Sequence, residues 1–348
     1  MIKVLVIDDS AYNRVTISRL LESHGGIRVV ATAVNGEDGI KQLLRHKPDV
    51  VTLDLEMPVM DGFAFLRWTM ANHPTAVIAV SSKASDRSVF KALELGALDF
   101  IPKPGGRVSP RLPEIERDLV RKILQVVDVR MENLRKRVQE DEARDGGAGA
   151  PKVYETRVDL VAIGSSTGGP PALQYIFEAL PALPIPFVVA QHMPANFTRL
   201  FAERVNKLTT FDVKEAQPGE ELLRGTVYIA PGGQQLEVRR NGPALYANVS
   251  DSSANELHAP SVDRLFQSAS QACGDRLLAV VLTGMGDDGA HAVRSVHERG
   301  GHTMAESADT AIIFGMPGEA IKTGCVDEVL PLGDIPAAIV RLCGNVPT

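Results

Sequence analysis

Cysteine is scarce in this 348-residue chain: Cys273, Cys325 and Cys343 are the three present, with no C-x-x-C pair among them. An odd total without close spacing excludes a disulfide framework and a zinc cluster, and fits a reducing compartment. No stretch approaches about 18 uninterrupted apolar residues, which argues against a helical membrane span. The apolar run Val4 to Ile7 ends in Asp8 and Asp9, too short and too acidic for a signal peptide, so the expected location is cytoplasmic. A basic excess is also missing. The formal net charge of −6 provides no general field for a nucleic-acid backbone.

What is present is an ordinary globular composition, 44% apolar and 23% charged. The length exceeds one hydrophobic core and favours about two domains. Short apolar runs alternate with amphipathic stretches: KVLVI, a helical 11–23, RVVATA, a helical 36–45, VVTL, AVIAV, a helical 85–95, LDFIP, then a long helical pattern over 113–138. Five βα units of a parallel sheet are expected. Between Arg111 and Asp145 basic and acidic residues are equal in number, marking a solvated helical connector, and Asp145 to Pro151 (DGGAGAP) breaks any element. A second α/β series follows with DLVAI and FVVAQ, a strand-rich middle (VYIA, LEVRR, ALYANV), LLAVVL and a helical 288–299. The expected organisation is a first domain over 1–125, a linker over 126–156 and a second domain over 157–348.

Residues just after successive parallel strands converge on one crevice. In the first domain those residues are Asp8 and Asp9, Asp54, Ser81, and Lys103 beside Pro104. Unpaired carboxylates repel unless a hard cation such as Mg²⁺ sits among them. Asp54 is then a candidate phosphoryl acceptor, with Lys103 and Ser81 facing the phosphoryl oxygens. Capping of helices or turns is the bland alternative for any one aspartate alone. The stretches VLVIDDSAYNR, LDLEMPVMDGFAFL, VSS and DFIPKP resemble the signatures of response-regulator receiver domains. The resemblance implies a flavodoxin-like (βα)5 sheet, phosphoacceptor Asp54, metal-binding Asp8, Asp9 and Asp54, switch residue Ser81 and phosphate contact Lys103. It also implies a rotameric aromatic at Phe100 and allows a cis Lys103–Pro104 bond.

In the second domain, IGSSTGGP follows a strand and opens a helix, with Pro170 suited to the first turn. Such a turn can cradle phosphate, but it lacks both the G-x-G-x-x-G spacing and the lysine of a phosphate loop. The rival reading is a nucleophilic serine, which requires an imidazole base and an orienting carboxylate. His192 follows FVVAQ, and Asp287 and Asp288 follow LLAVVL, all at strand ends of one sheet. Histidines 24, 46, 73, 258, 291, 297 and 302 lack that placement and read as solvated or core residues. Local physics leaves Ser165 against Ser166, and Asp287 against Asp288, open.

The blocks GSSTGG, QHMPANFTRLFAERVN, HAPSVDRLF, LTGMGDDGA and FGMPGEAI resemble those of chemotaxis protein-glutamate methylesterases. The resemblance implies a doubly wound parallel-sheet hydrolase with nucleophile Ser166, base His192 and aspartate Asp288, and with Thr167 and Met285 as oxyanion-hole candidates. The segment Glu306 to Asp309 departs from the family pattern, which bears on substrate preference. Implied partners are methylated chemoreceptors and a histidine kinase as phosphodonor; Mg²⁺ serves the receiver and no cofactor serves ester hydrolysis. Phosphorylation would relieve a receiver-imposed gate, and receptor glutamines would also be deamidated. A DNA-binding effector is the competing class, but it predicts a basic recognition helix in place of this α/β series.

Overall fold

A computed structural model describes residues 1–81, 86–102, 112–124, 129, 131–134, 158–195, 197–253 and 256–343. The chain divides into two compact units, Met1–Arg144 and Asp145–Thr348. Most of the linker expected over 126–156, together with Lys103 and the Lys103–Pro104 bond, lies outside the described residues.

In the first unit, β1 (Ile2–Ile7), β2 (Ile27–Ala33), β3 (Val50–Asp54), β4 (Ala76–Ser81) and β5 (Asp99–Pro102) form a parallel sheet in the order β2-β1-β3-β4-β5. The connecting helices are α1 (Ala11–Glu22), α2 (Gly36–His46), α3 (Gly62–Asn72) and α4 (Asp86–Glu94), and α5 (Leu112–Leu124) follows the last strand. Val4, Leu5 and Val6 are fully buried, as expected of a parallel strand covered on both faces. Side chains of Ser10, Asn35 and Asp61 accept the backbone N–H of Asn13, Asp38 and Ala64, starting α1, α2 and α3 directly after strand-end loops. The helix expected over 113–138 is corrected. Its described helical parts are Leu112–Leu124 and 131–134, and Val129 between them lies in an isolated bridge.

The β3–α3 loop contains a strained residue. Val59 has φ +70° and is 78% exposed, and the Met60 N–H donates to Pro58 O across it. A β-branched side chain in this region costs about 1–2 kcal/mol, whereas asparagine tolerates it. Val59→Asn is therefore expected to stabilise the first unit by about 1 kcal/mol, read as a raised urea midpoint; an unchanged or lowered midpoint contradicts the strain argument.

The second unit is built on a seven-stranded parallel sheet in the order β14-β13-β12-β6-β7-β9-β8. Its strands are β6 (Leu160–Ser165), β7 (Phe187–Gln191), β8 (Asp212–Glu215), β9 (Thr226–Ile229), β12 (Leu277–Val281), β13 (His302–Glu306) and β14 (Glu328–Leu330). An antiparallel hairpin, β10 (Gln234–Asn241) with β11 (Ala244–Asp251), stands apart from the sheet and accounts for the runs LEVRR and ALYANV of the strand-rich middle, while VYIA falls in β9 of the main sheet. Helices α6 (Gly169–Ala179), α7 (Phe197–Asn206), α8 (Val262–Cys273), α9 (Ala290–Glu298), α10 (Met316–Lys322) and α11 (Ile335–Cys343) complete it. From central β6 the chain first moves toward β7 and later returns to β12 on the other side. That reversal opens a crevice at the strand ends, where α/β sheets place their ligands. Among the described residues no helix is long and apolar enough to cross a membrane.

Candidate active site and phosphorylation site

Register brings the serine and histidine loops together. Ser165 pairs with Gln191 at the ends of β6 and β7, and the His192 N–H donates to Ser165 O at 3.0 Å. On the other flank Val281 pairs with Gly164, and the Ser166 N–H donates to Thr283 O at 3.1 Å. The two adjacent serines differ in environment. Ser165 is fully buried and its hydroxyl donates to Gln191 Oε1 at 2.7 Å; Ser166 is partly exposed. Gln191 Nε2 donates to the carbonyls of both Ser166 and His192, at 2.9 and 3.0 Å, clamping the two loops. Gly168 enters α6 at φ +78°, a conformation that suits glycine.

The two adjacent aspartates also separate. Asp287 is exposed, whereas Asp288 is 5% exposed and lies 2.7 Å from His192 Nε2 through Oδ2. The same carboxylate accepts the Ser261 hydroxyl at 3.0 Å and the backbone N–H groups of Val262 and Asp263 at 2.8 and 2.9 Å. It therefore caps the N-terminal turn of α8, where unpaired N–H groups and the helix dipole favour an anion. Burial pushes the Asp288 carboxyl upward, but His192 and the α8 N–H groups outweigh it and hold the pKa at about 2. Burial, with the Asp288 charge adding to it, raises the Asp263 carboxyl against the Ala292 N–H it accepts. An ionised carboxylate only accepts, so Nε2 of His192 carries the proton of this bond and Nδ1 is the other ring nitrogen, turned away from Asp288.

Several residues not expected at this site from the sequence belong to it. Thr283 receives the Ser166 N–H, and its hydroxyl contacts Thr167 O and accepts the Ile313 N–H at 3.0 Å. Buried Glu306 in turn accepts the Thr283 N–H at 2.8 Å, so the departing segment begins with a support for this loop, while Asp309 is exposed. His258, read from sequence as a bystander, stacks on His192 with ring centroids 4.4 Å apart and planes 2° from parallel. The pointer to it was its place in the HAPSVDRLF block, which also carries Ser261. Ligand atoms of His192, His258 and Asp288 lie within 4.8 Å of one another. Parallel rings nonetheless direct their lone pairs in separate planes, so a single cation cannot lie in both, and Asp288 already accepts the His192 Nε2–H.

Of the oxyanion-hole candidates, Thr167 is buried directly after Ser166, and Met285 follows Gly284 against the serine loop. A Cβ on Gly284 would stand 2.9 Å from Ser166 Cβ and 3.0 Å from Ser166 N. Gly284→Ala is accordingly expected to displace Ser166 and the Met316 side chain and to lower the labelling rate by a fluorophosphonate probe by about tenfold, since a misplacement of about 1 Å costs about 10²-fold and the overlap with Ser166 calls for less. Wild-type labelling would refute the close-approach argument.

In the first unit, carboxylate atoms of Asp8, Asp9 and Asp54 lie within 4.8 Å of one another, with Asp8 and Asp54 buried and Asp9 exposed. Asp8 Oδ1 accepts the Ser10 N–H at 2.9 Å, and Asn13 Nδ2 reaches both its oxygens. An all-oxygen donor set of this kind fits a hard divalent cation. Ser81 ends β4 one residue beyond Val80, the strand partner of Asp54. Phe100 is buried on β5 with Lys122 Nζ over its ring at 5.7 Å. Burial pushes the Lys122 ammonium down, but Asp99 at 2.8 Å and Asp118 at 3.5 Å outweigh it and raise its pKa.

A receiver sheet with an acidic cluster, joined to a parallel-sheet unit whose strand ends gather serine, histidine and buried aspartate, defines an effector-type response regulator. The family model described as CheB methylesterase matches residues 161–339, and that described as response regulator receiver domain matches residues 4–109. Protein-glutamate methylesterase/protein-glutamine glutaminase 3 of Geobacter sulfurreducens is 45% identical, covering 99% of this chain and 98% of its own. The corresponding protein 1 of Myxococcus xanthus is 47% identical over 98% and 97%. The crystal structure of the Thermotoga maritima CheB methylesterase catalytic domain, 39% identical, aligns with a TM-score of 0.51 over 53% of this chain and 97% of that one. The chain belongs to the CheB methylesterase family.

Proposed function

We propose that this chain hydrolyses methyl esters of glutamate side chains on chemoreceptors, under control of Asp54 phosphorylation, and deamidates receptor glutamines at the same site. Ser166 Oγ attacks the ester carbonyl as His192 Nδ1 takes its proton, and the Met285 N–H and the Thr167 backbone receive the oxyanion charge. The His192 imidazolium protonates the departing methoxide, releasing methanol and leaving an acyl-Ser166 ester. Water, deprotonated by His192, then cleaves that ester to free glutamate carboxylate and restored Ser166. With a glutamine substrate the leaving group is ammonia. The observation that carries this reading is Asp288: buried, ionised and bonded at once to His192 and the start of α8.

In the receiver, Asp54 accepts a phosphoryl group from a histidine kinase, with Ser81 and Lys103 as its contacts. Mg²⁺ held by Asp8, Asp9 and Asp54 supplies charge neutralisation to the phosphoryl oxygens when bound. The phosphorylated receiver favours the state in which the hydrolase turns over. The test is methanol release from methylated receptor membranes with and without a small-molecule phosphodonor. Release that rises with the phosphodonor in the wild type, and not in Asp54→Asn, is expected. No release under either condition defeats the proposal.

A further inference from the structure

We infer that His258 is a positioning residue for the hydrolytic step, fixing the face of the His192 ring while Asp288 fixes its edge; this rests on the Ser166, His192 and Asp288 reading above. A single bond from Nε2 to Asp288 leaves the imidazole free to tilt about that contact, and tilting swings Nδ1 away from its proton donor. A flat ring stacked at 4.4 Å and 2° removes that freedom. His258 is itself held. Gln235, fully buried on β10, donates from Nε2 to His258 O at 2.7 Å and accepts the Ser261 N–H through Oε1 at 2.8 Å.

One buried amide thus anchors both the backbone of the residue whose ring covers His192 and the helix start that grips Asp288. The stack has a second effect during turnover. When His192 becomes an imidazolium, the π face of the His258 ring lies against it, where ring electron density attracts a cation. The role belongs to the ring face and asks nothing of the His258 nitrogens, so a phenyl ring should replace it.

The test uses the full chain on methylated receptor membranes, with kcat and KM measured for His258→Ala, His258→Phe and Ser166→Ala, and thermal melting recorded for each. His258→Ala is expected to lower kcat by about 10- to 100-fold with KM within about twofold, because a misplaced base costs rate and not binding. His258→Phe is expected to recover kcat to within about threefold of wild type. An unchanged kcat in His258→Ala, a loss carried by KM, or a His258→Phe enzyme as slow as the alanine variant overturns the assignment. Activity surviving in Ser166→Ala would instead sink the underlying triad, so the two failures are distinguishable.

Discussion

Ser166→Ala is expected to lower methanol release by at least about 10³-fold, because removing the nucleophile of a serine hydrolase leaves only what binding and oxyanion contacts supply. Fluorophosphonate labelling should disappear with it, while Asp54 phosphorylation continues. The neighbouring replacement is the informative control. Ser165 is buried and its hydroxyl is bound to Gln191 Oε1, so Ser165→Ala should cost stability, about 1–3 kcal/mol for the amide oxygen left without a donor, and keep its label. Labelling that persists in Ser166→Ala and vanishes in Ser165→Ala would reverse the assignment.

Asp288→Asn is expected to lower kcat by about 10³- to 10⁴-fold, the loss seen when an orienting aspartate becomes an amide that can support the wrong imidazole tautomer. The same change should reveal a pH-dependent stability. The Asp288 carboxyl sits at about 2 in the folded protein against an ordinary 3.8. A lowered folded value means stability that is present above the unfolded pKa and lost as pH falls through the folded one. The window therefore runs from about pH 4 down to about pH 2, and the amount is about 2 kcal/mol. In urea titrations the gap between wild type and Asp288→Asn should be full at pH 6 and shrink across that window. A constant gap would mean that Asp288 contributes shape and no charge.

Much of this was legible in the sequence because parallel α/β domains write their architecture in alternating blocks. The runs KVLVI and DLVAI could only be strands buried on both faces, and the residues after them had to share a crevice. Asp8, Asp9 and Asp54 meet for that reason, as do the loops bearing Ser166 and His192. What sequence periodicity could not resolve was the facing of neighbours. Ser165 and Ser166 differ through the Ser165 bond to Gln191, and Asp287 and Asp288 through the N–H groups of α8, contacts between residues far apart in the chain. His258 escaped for a related cause: it lies on a loop before α8, not at a strand end, and reaches His192 only through the folded placement of that loop. The helix expected over 113–138 is interrupted at Val129, a break that the apolar periodicity of the stretch does not show.

The pairing of Ser165 with Gln191 and of Gly164 with Val281 has an evolutionary corollary. Distances among the reacting groups are set by ladder register in the middle of the sheet, not by the lengths of the segments joining those strands. The 70 positions that separate β7 from α8, hairpin included, can therefore gain or lose residues as lineages diverge, provided that Gln235 keeps its two anchors. Variation in receptor preference would be expected to accumulate in that excursion, while the chemistry stays where the ladder holds it.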